Sequence, residues 1–422
     1  MNKLTQVMKI KDLRNKILCV LGILVVFRIL ASIPVPGIDI ERVKEFFSGN
    51  QFFGMLNVFS GSSMSNFSIV MLGVGPYITA SIVMQLMTMI IPRVEKMYKE
   101  EGEAGRQKFN QITRYLTVPF ALLQSFGMIS LLRSQKIIDT LGLGQTLVIM
   151  IIITSGTVLL MWLGEIITEK GIGNGVSLII FAGIVANLPS ALKQLAATWD
   201  ETRLLTYAGF LIALVAVIYA VIVVTEGQRN IPVSYARRMR GAKNISGNQA
   251  YLPLRVNQAG VIPIIFAMSV MLFPGMITNF LASANVEKLT SAALAVDTLF
   301  KNQLFYGILY FFLVIAFSFF YTKVTFDPKN IAENLQKNGG YIPGIRPGAK
   351  TEKHLNNVVN RITLAGSLFL AAVAVLPFVI QWATQIQNLS VGGTSLLIVV
   401  SVVIETIKQI QGQIIMRSYE KI

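Results

Sequence analysis

Residues 59–91 read FSGSSMSNFSIVMLGVGPYITASIVMQLMTMII, and this stretch decides how the chain is built. Phe59 to Phe67 carries no charge and is rich in small residues, apolar enough to enter a membrane but too short to cross one. Gly73, Gly75 and Pro76 interrupt the chain, and an apolar helix then runs on toward Ile91. A hydrocarbon core of ~30 Å needs about 20 helical residues to cross; the second piece can supply that length and the first cannot. Irregular backbone at membrane depth is tolerated only where protein buries it or water reaches it. The stretch therefore predicts a half-helix at about 59–67 folded into a cavity, followed by a full span. On these residues alone, one long span with a Gly/Pro kink remains the alternative.

The rest of the chain shares this character. Its 422 residues are 53% hydrophobic and only 14% charged, with a mean hydropathy of +0.62. Such numbers describe a polytopic membrane protein, because no soluble domain needs so many apolar runs of spanning length. The net charge of +16 sits in short loops between apolar runs. That pattern follows the positive-inside rule and suits anionic lipids or an acidic partner better than it suits nucleic acid as the main ligand. Cys19 is the single cysteine and lies in an apolar run, which excludes an internal disulfide or a cysteine metal site. Ile17 to Ile33 is longer than a signal-peptide core and no small-residue cleavage motif follows, so it reads as a retained first span.

Outward from the opening stretch, charge sets the sidedness. Lys3, Lys9, Lys11, Arg14 and Lys16 against Asp12 hold the N-terminus in the cytoplasm. Arg28, near the outer end of span one, is expected to snorkel to the interface. Spans three to five follow at about 115–132, 145–167 and 176–192, the last launched by the turn Gly171-Ile172-Gly173-Asn174-Gly175. Spans six to ten follow at about 204–224, 258–273, 304–321, 362–382 and 394–407. The loop 226–256 carries Arg229, Arg237, Arg238, Arg240, Lys243 and Arg255 against Glu226 alone, the strongest inside signal in the chain. The loop 323–361 is also basic, and rich in Gly and Pro. The expected fold is an all-α polytopic membrane protein with ten transmembrane helices. It divides into two five-helix halves, 1–195 and 196–422, with both termini cytoplasmic. An odd number of spans per half makes any repeat between them inverted, and inverted repeats usually place a path at their interface.

Several chemistries are missing. Glu165, Glu226 and Glu405 fall near span ends, leaving no midplane carboxylate of the kind ion-coupled carriers use. His354 is the one histidine and lies in a basic loop, where a solvated or contact role outweighs a ligand role. There is no phosphate-binding G-x-x-x-x-G-K-[ST] loop, and the Gly171–Gly175 triplet of glycines fits a tight turn better than a dinucleotide site. No catalytic residues, metal ligands or cofactor are expected.

The chain resembles the SecY family, the pore subunits of the bacterial Sec translocation channel, along its whole length. The resemblance rests on Ile33-Pro34-Val35-Pro36-Gly37-Ile38-Asp39, on Gly75-Pro76-Tyr77-Ile78-Thr79-Ala80-Ser81-Ile82 and on the Gly171–Gly175 turn. It continues through Gln258-Ala259-Gly260-Val261-Ile262-Pro263, Gly344-Ile345-Arg346-Pro347-Gly348 and Gly392-Gly393-Thr394-Ser395-Leu396-Leu397-Ile398. It implies a plug at Ser60, Gly61, Ser62, Ser63, Met64, Ser65, Asn66 and Phe67, and a pore ring at Val74, Ile78, Ile180, Ile184, Ile265 and Ile398. Stiff β-branched side chains suit such a gasket, and an apolar constriction excludes water by dewetting. Taken singly, each aliphatic residue fits ordinary packing better.

The resemblance also makes spans two and seven the sides of a lateral gate, with Thr79, Ser81, Gln85, Gln124, Asn257, Gln258 and Ser269 as its polar residues. Such groups can bond across a helix seam for roughly 1 kcal/mol each; routine bonding in a static bundle accounts for them nearly as well. Arg346, with Arg237, Arg238, Arg240 and Lys243, is implied to dock the ribosome or the SecA motor, although topology alone explains part of that charge. The implied setting is the bacterial cytoplasmic membrane, with SecE and SecG as small subunits and preproteins with signal sequences as clients. The implied activity is protein conduction with lateral release of hydrophobic segments, not enzymatic catalysis. A secondary solute transporter is the competing reading, and a membrane scaffold without a pore leaves the broken second span unexplained.

Overall fold

Apolar runs become helices because lipid offers no partner to a backbone N–H or C=O, and a helix satisfies both internally. The computed structural model describes residues 10–36, 38–49, 57, 60–61, 63–138, 142–197, 204–235, 250–283, 300, 302–384 and 393–419. Its first half contains α1 (Lys11–Ser32), α2 (Ile40–Gly49), α3 (Gly75–Ile90), α4 (Pro92–Lys99), α5 (Gly102–Ser134), α6 (Leu143–Lys170) and α7 (Gly175–Ala197). There follow α8 (Leu204–Glu226), β1 (Gln228–Tyr235), β2 (Ala250–Arg255), α9 (Ile262–Ser283), α10 (Gln303–Thr325), α11 (Pro328–Lys337), β3 (Gly340–Tyr341), α12 (Ala349–Thr384) and α13 (Gly393–Tyr419). By length and composition α1, α5, α6, α10, α12 and α13 can each cross a membrane, and α3 with α4 forms an apolar pair bent by 108°. Shorter apolar stretches in α7, α8 and α9 complete the ten expected spans, in the expected order.

Burial follows from lipid being the solvent. On α1, Leu18, Leu21, Val25, Val26 and Ile29 are exposed, while Val20, Phe27 and Ala31 face inward. The large cluster at the centre draws on most of the spans and includes Phe27, Ile78, Ile184, Ile264, Tyr310, Ala374 and Ile398. A second cluster joins Val43 and Phe47 of α2 to Phe67, Met71, Ile129, Leu132, Ile149 and Ile153. Helix α2 was not anticipated; its apolar residues Ile40, Val43, Phe46 and Phe47 cover barely two turns, too short a run to separate it from loop.

The basic loops depart furthest from expectation. Strands β1 and β2, from the loop 226–256, pair antiparallel, with Ile231 opposite Leu252 and Arg229 opposite Leu254. Strand β3, from the other basic loop, adds to β1 through Ser234 opposite Tyr341, so that one three-stranded sheet joins both loops in the order β2-β1-β3. Ile231 and Leu254 from the sheet pack with Ile342 and with Leu355, Val358 and Val359 of α12. The spacing of those last three places them on one helix face, which explains why α12 starts well before the membrane. Span three likewise begins early, at Gly102, and pairs with α4 into a helical hairpin at the basic end.

Candidate functional site

The site is built from the segment that the sequence marks as unable to cross. Residues 60–61 and 63–74 form a chain of tight turns, so the half-helix expected at 59–67 is corrected: its described residues are not helical. The cause is local chemistry. The Ser63 hydroxyl donates to the Ser60 carbonyl at 2.6 Å, the Ser60 hydroxyl donates to the Asn57 carbonyl, and the Ser65 N–H donates to Asn57 Oδ1. Side chains that bond nearby backbone groups compete with the helical ladder. Phe67 has φ 43° and Gly61 φ 70°, values that no right-handed helix contains. Ser62 lies outside the described residues.

The turns are held on three sides. The Val35 N–H donates to the Phe67 carbonyl at 2.9 Å, and the Ile69 N–H donates to the Ile33 carbonyl at 3.1 Å. Phe67 is fully buried in the cluster with α2, α5 and α6, and Met64 joins it there. A Cβ on Gly156 of α6 would overlap the Ile69 carbonyl, so that helix can approach only as glycine. Arg28 corrects a second expectation. It does not turn away to the interface; its Nη1 donates to the Gly61 carbonyl at 2.7 Å.

The six residues implied for the ring come from four separate helices and the residue that precedes one of them. Val74 caps α3 and Ile78 stands one turn on, with the Ile78 N–H donating to the Val74 carbonyl. Ile180 and Ile184 lie one turn apart on α7, Ile265 on α9 and Ile398 on α13. Val74, Ile78, Ile180, Ile184 and Ile398 are all buried in the central cluster, and Ile265 packs against it partly buried. The fold therefore brings all six into one apolar cluster.

The seven polar residues implied for the gate behave differently. Helix α9 does pack against both α3 and α5. Gln124 of α5 donates to Thr79 Oγ1 of α3 at 3.3 Å, both side chains buried. The others turn inward on their own segments: Gln85 donates to Ser81, Ser269 to the Ile265 carbonyl, and Asn257 to the Gly260 carbonyl. None of these bonds joins α3 to α9. Among the described residues, Gln85 and Gln258 each have a buried Oε1 without a partner.

At the basic end, Arg346 is exposed on a turn between β3 and α12. Ile342 and Ile345 anchor the turn in the sheet cluster, and Gly344 at φ 81° lets the chain reverse between them. The Thr351 hydroxyl donates to the Arg346 carbonyl, fixing the backbone while the guanidinium points out unpaired among the described residues. Arg237, Arg238, Arg240 and Lys243 lie outside the described residues. Sequence reasoning missed the pair Arg114–Glu165, which links α5 to α6 at 2.6 Å; two charges 51 positions apart carry no local signal.

Comparison with known proteins follows this geometry. A family profile described as SecY matches residues 68–407. The protein translocase subunit SecY of Streptomyces coelicolor is 43% identical, with 98% of this chain and 97% of that one covered. The subunit of the same name from Halalkalibacterium halodurans is 43% identical over 99% of this chain and 98% of its own. Among solved structures, one described as a protein conducting channel superposes with a TM-score of 0.62 at 19% identity, covering 93% of this chain and 90% of its own. Sec61 in the canine ribosome-channel complex from the endoplasmic reticulum superposes at 0.59, also at 19% identity, over 93% and 90%. At that identity the structures speak for the fold alone. The sequence relatives speak for descent, and with the family profile matched across its spans this chain belongs to the SecY family.

Proposed function

We propose that this chain is the pore subunit of a bacterial protein translocase. It passes unfolded preproteins across the cytoplasmic membrane and releases hydrophobic segments sideways into lipid between α3 and α9. The observation that carries the reading is that six aliphatic residues, from four helices and the residue capping one of them, lie in or against one buried cluster, and that a non-helical, buried segment precedes α3. An apolar constriction of that kind opposes water and ions when empty and can yield around a chain. Channel membership makes it a conduit and not an enzyme, so the driving force comes from outside.

The plug is residues 60–67, the ring Val74, Ile78, Ile180, Ile184, Ile265 and Ile398, and the halves 1–195 and 196–422. Both termini lie in the cytoplasm, where the basic sheet docks SecA or the ribosome; the ribosome-bound Sec61 of the canine complex supports the second. SecE and SecG complete the channel, and anionic lipids meet its basic rim. The test is reconstitution into vesicles with SecA, ATP and a labelled preprotein. Protection of that preprotein from added protease is expected, and a solute carrier would protect none.

Deleting residues 60–67 is expected to raise ion leak through resting channels in planar bilayers while preprotein transport survives. Phe67 fills part of a buried cluster, so neighbouring loops will occupy its place imperfectly. The expected record is flickering conductance, and an unchanged leak would remove the plug from the reading.

A further inference from the structure

We propose that Arg28 and Gly61 form a catch that couples the plug to α7, the helix bearing Ile180 and Ile184. The proposal rests on reading residues 60–67 as the plug. A guanidinium within an apolar span is expensive and marks function when it faces the protein interior. Arg28 lies in α1, and its one hydrogen bond among the described residues goes to the Gly61 carbonyl at 2.7 Å. Among the described residues it makes no ion pair. A lipid-exposed anchor would not turn inward to a neutral carbonyl, so the bond is what the charge is there to make.

Gly61 is held from the opposite side as well. A Cβ placed on it would come 2.8 Å from the Gly183 Cα, 3.3 Å from Arg28 Nη1 and 3.4 Å from Phe27 Cζ. The plug backbone thus passes between α1 and α7 with room for no side chain. Gly183 sits between Ile180 and Ile184 in the sequence of α7. A polypeptide that widens the ring must push α7 outward, and Gly183 then leaves Gly61. Gly61 keeps its bond to Arg28 and loses its backing, while the Val35 N–H still holds the Phe67 carbonyl. Once it swings away, the guanidinium faces the open funnel, where water or carbonyls of the passing chain replace the Gly61 oxygen. Arg28 is a positioning residue for the closed state, and ring occupancy is the signal that it passes on.

The test uses the assembled channel in planar bilayers, read as resting open fraction, with Arg28→Leu and Gly61→Ala examined in the full-length chain and Arg28→Leu also in the 60–67 deletion. Losing a charge-assisted hydrogen bond is expected to raise the resting open fraction roughly tenfold. Gly61→Ala, which keeps the guanidinium and strains φ 70°, should do the same. Arg28→Leu should add nothing in the deletion background, because the carbonyl it holds is gone. An unchanged open fraction for both single variants, with a leaky deletion, overturns the catch and spares the plug. A rise for Arg28→Leu that persists in the deletion also overturns it, since Arg28 would then act without the plug. A deletion that leaves the leak unchanged overturns the plug reading itself, and the catch with it.

Discussion

Ile398→Asn is expected to let preproteins with defective signal sequences cross. Ile398 is 0% exposed and packs in the cluster that holds the other ring residues. Asparagine brings an amide into an apolar cluster, and an unpaired amide in such a site costs about 1–3 kcal/mol. The open state, filled by water and polypeptide, satisfies that amide, so the cost falls on the closed state alone. With about 1.4 kcal/mol to each tenfold, the closed-to-open ratio drops roughly 5- to 100-fold. Less binding energy is then needed from a signal sequence to open the gate. The measurement is protease-protected preprotein in vesicles, for normal and signal-defective clients side by side. Loss of normal transport without any rescue of the defective client would remove Ile398 from the ring. A solute carrier would show only impaired uptake.

Arg346→Glu is expected to abolish motor-driven transport while the channel still inserts and folds. The guanidinium is exposed and makes no hydrogen bond or ion pair among the described residues, so the fold does not depend on it. Surface substitutions of this kind shift stability by about 0.5 kcal/mol or less. A docking contact is another matter. Reversing a charge at the centre of an interface loses the pair and adds repulsion, and interface anchors of this type cost about 2 kcal/mol or more. Transport should fall roughly thirtyfold or further, with the thermal unfolding of the purified channel unchanged. Binding to ribosomes, if phosphates are the partner, should weaken steeply with salt in the parent chain and less so in the variant. Normal transport at ordinary motor concentration would overturn the docking role.

The spans were legible because lipid imposes a single rule, and Leu18 or Leu211 obeys it whatever its neighbours are. The turn-rich plug was legible as a break and misread as a half-helix. Its lack of charge and its length exclude a span, but the serine and Asn57 bonds that unwind it are decided by particular rotamers. The proposed ring comes only from the resemblance, since Ile180 or Ile398 taken alone looks like any packed aliphatic. Arg28 shows the opposite limit. Its charge marked it as unusual, yet the partner is a backbone carbonyl, and every residue has one. The sheet at the basic end escaped because β3 is two residues long and pairs with a strand about a hundred positions away. Hydrophobic periodicity cannot register so short an element.

That sheet has a mechanical consequence. Two loops that could have flexed independently are fastened to each other, and the fastening continues into α12, a helix of 36 residues running from beside Arg346 deep into the bundle. Helices and buried cores transmit displacement without absorbing much of it. A partner that grips either loop therefore grips a stiff handle, and a tilt of the handle arrives among the spans as a tilt of α12. Through α10, against which α12 packs, the tilt reaches α9, one edge of the proposed gate. If the proposed docking role holds, a motor at Arg346 would have leverage on the proposed seam before any client entered it.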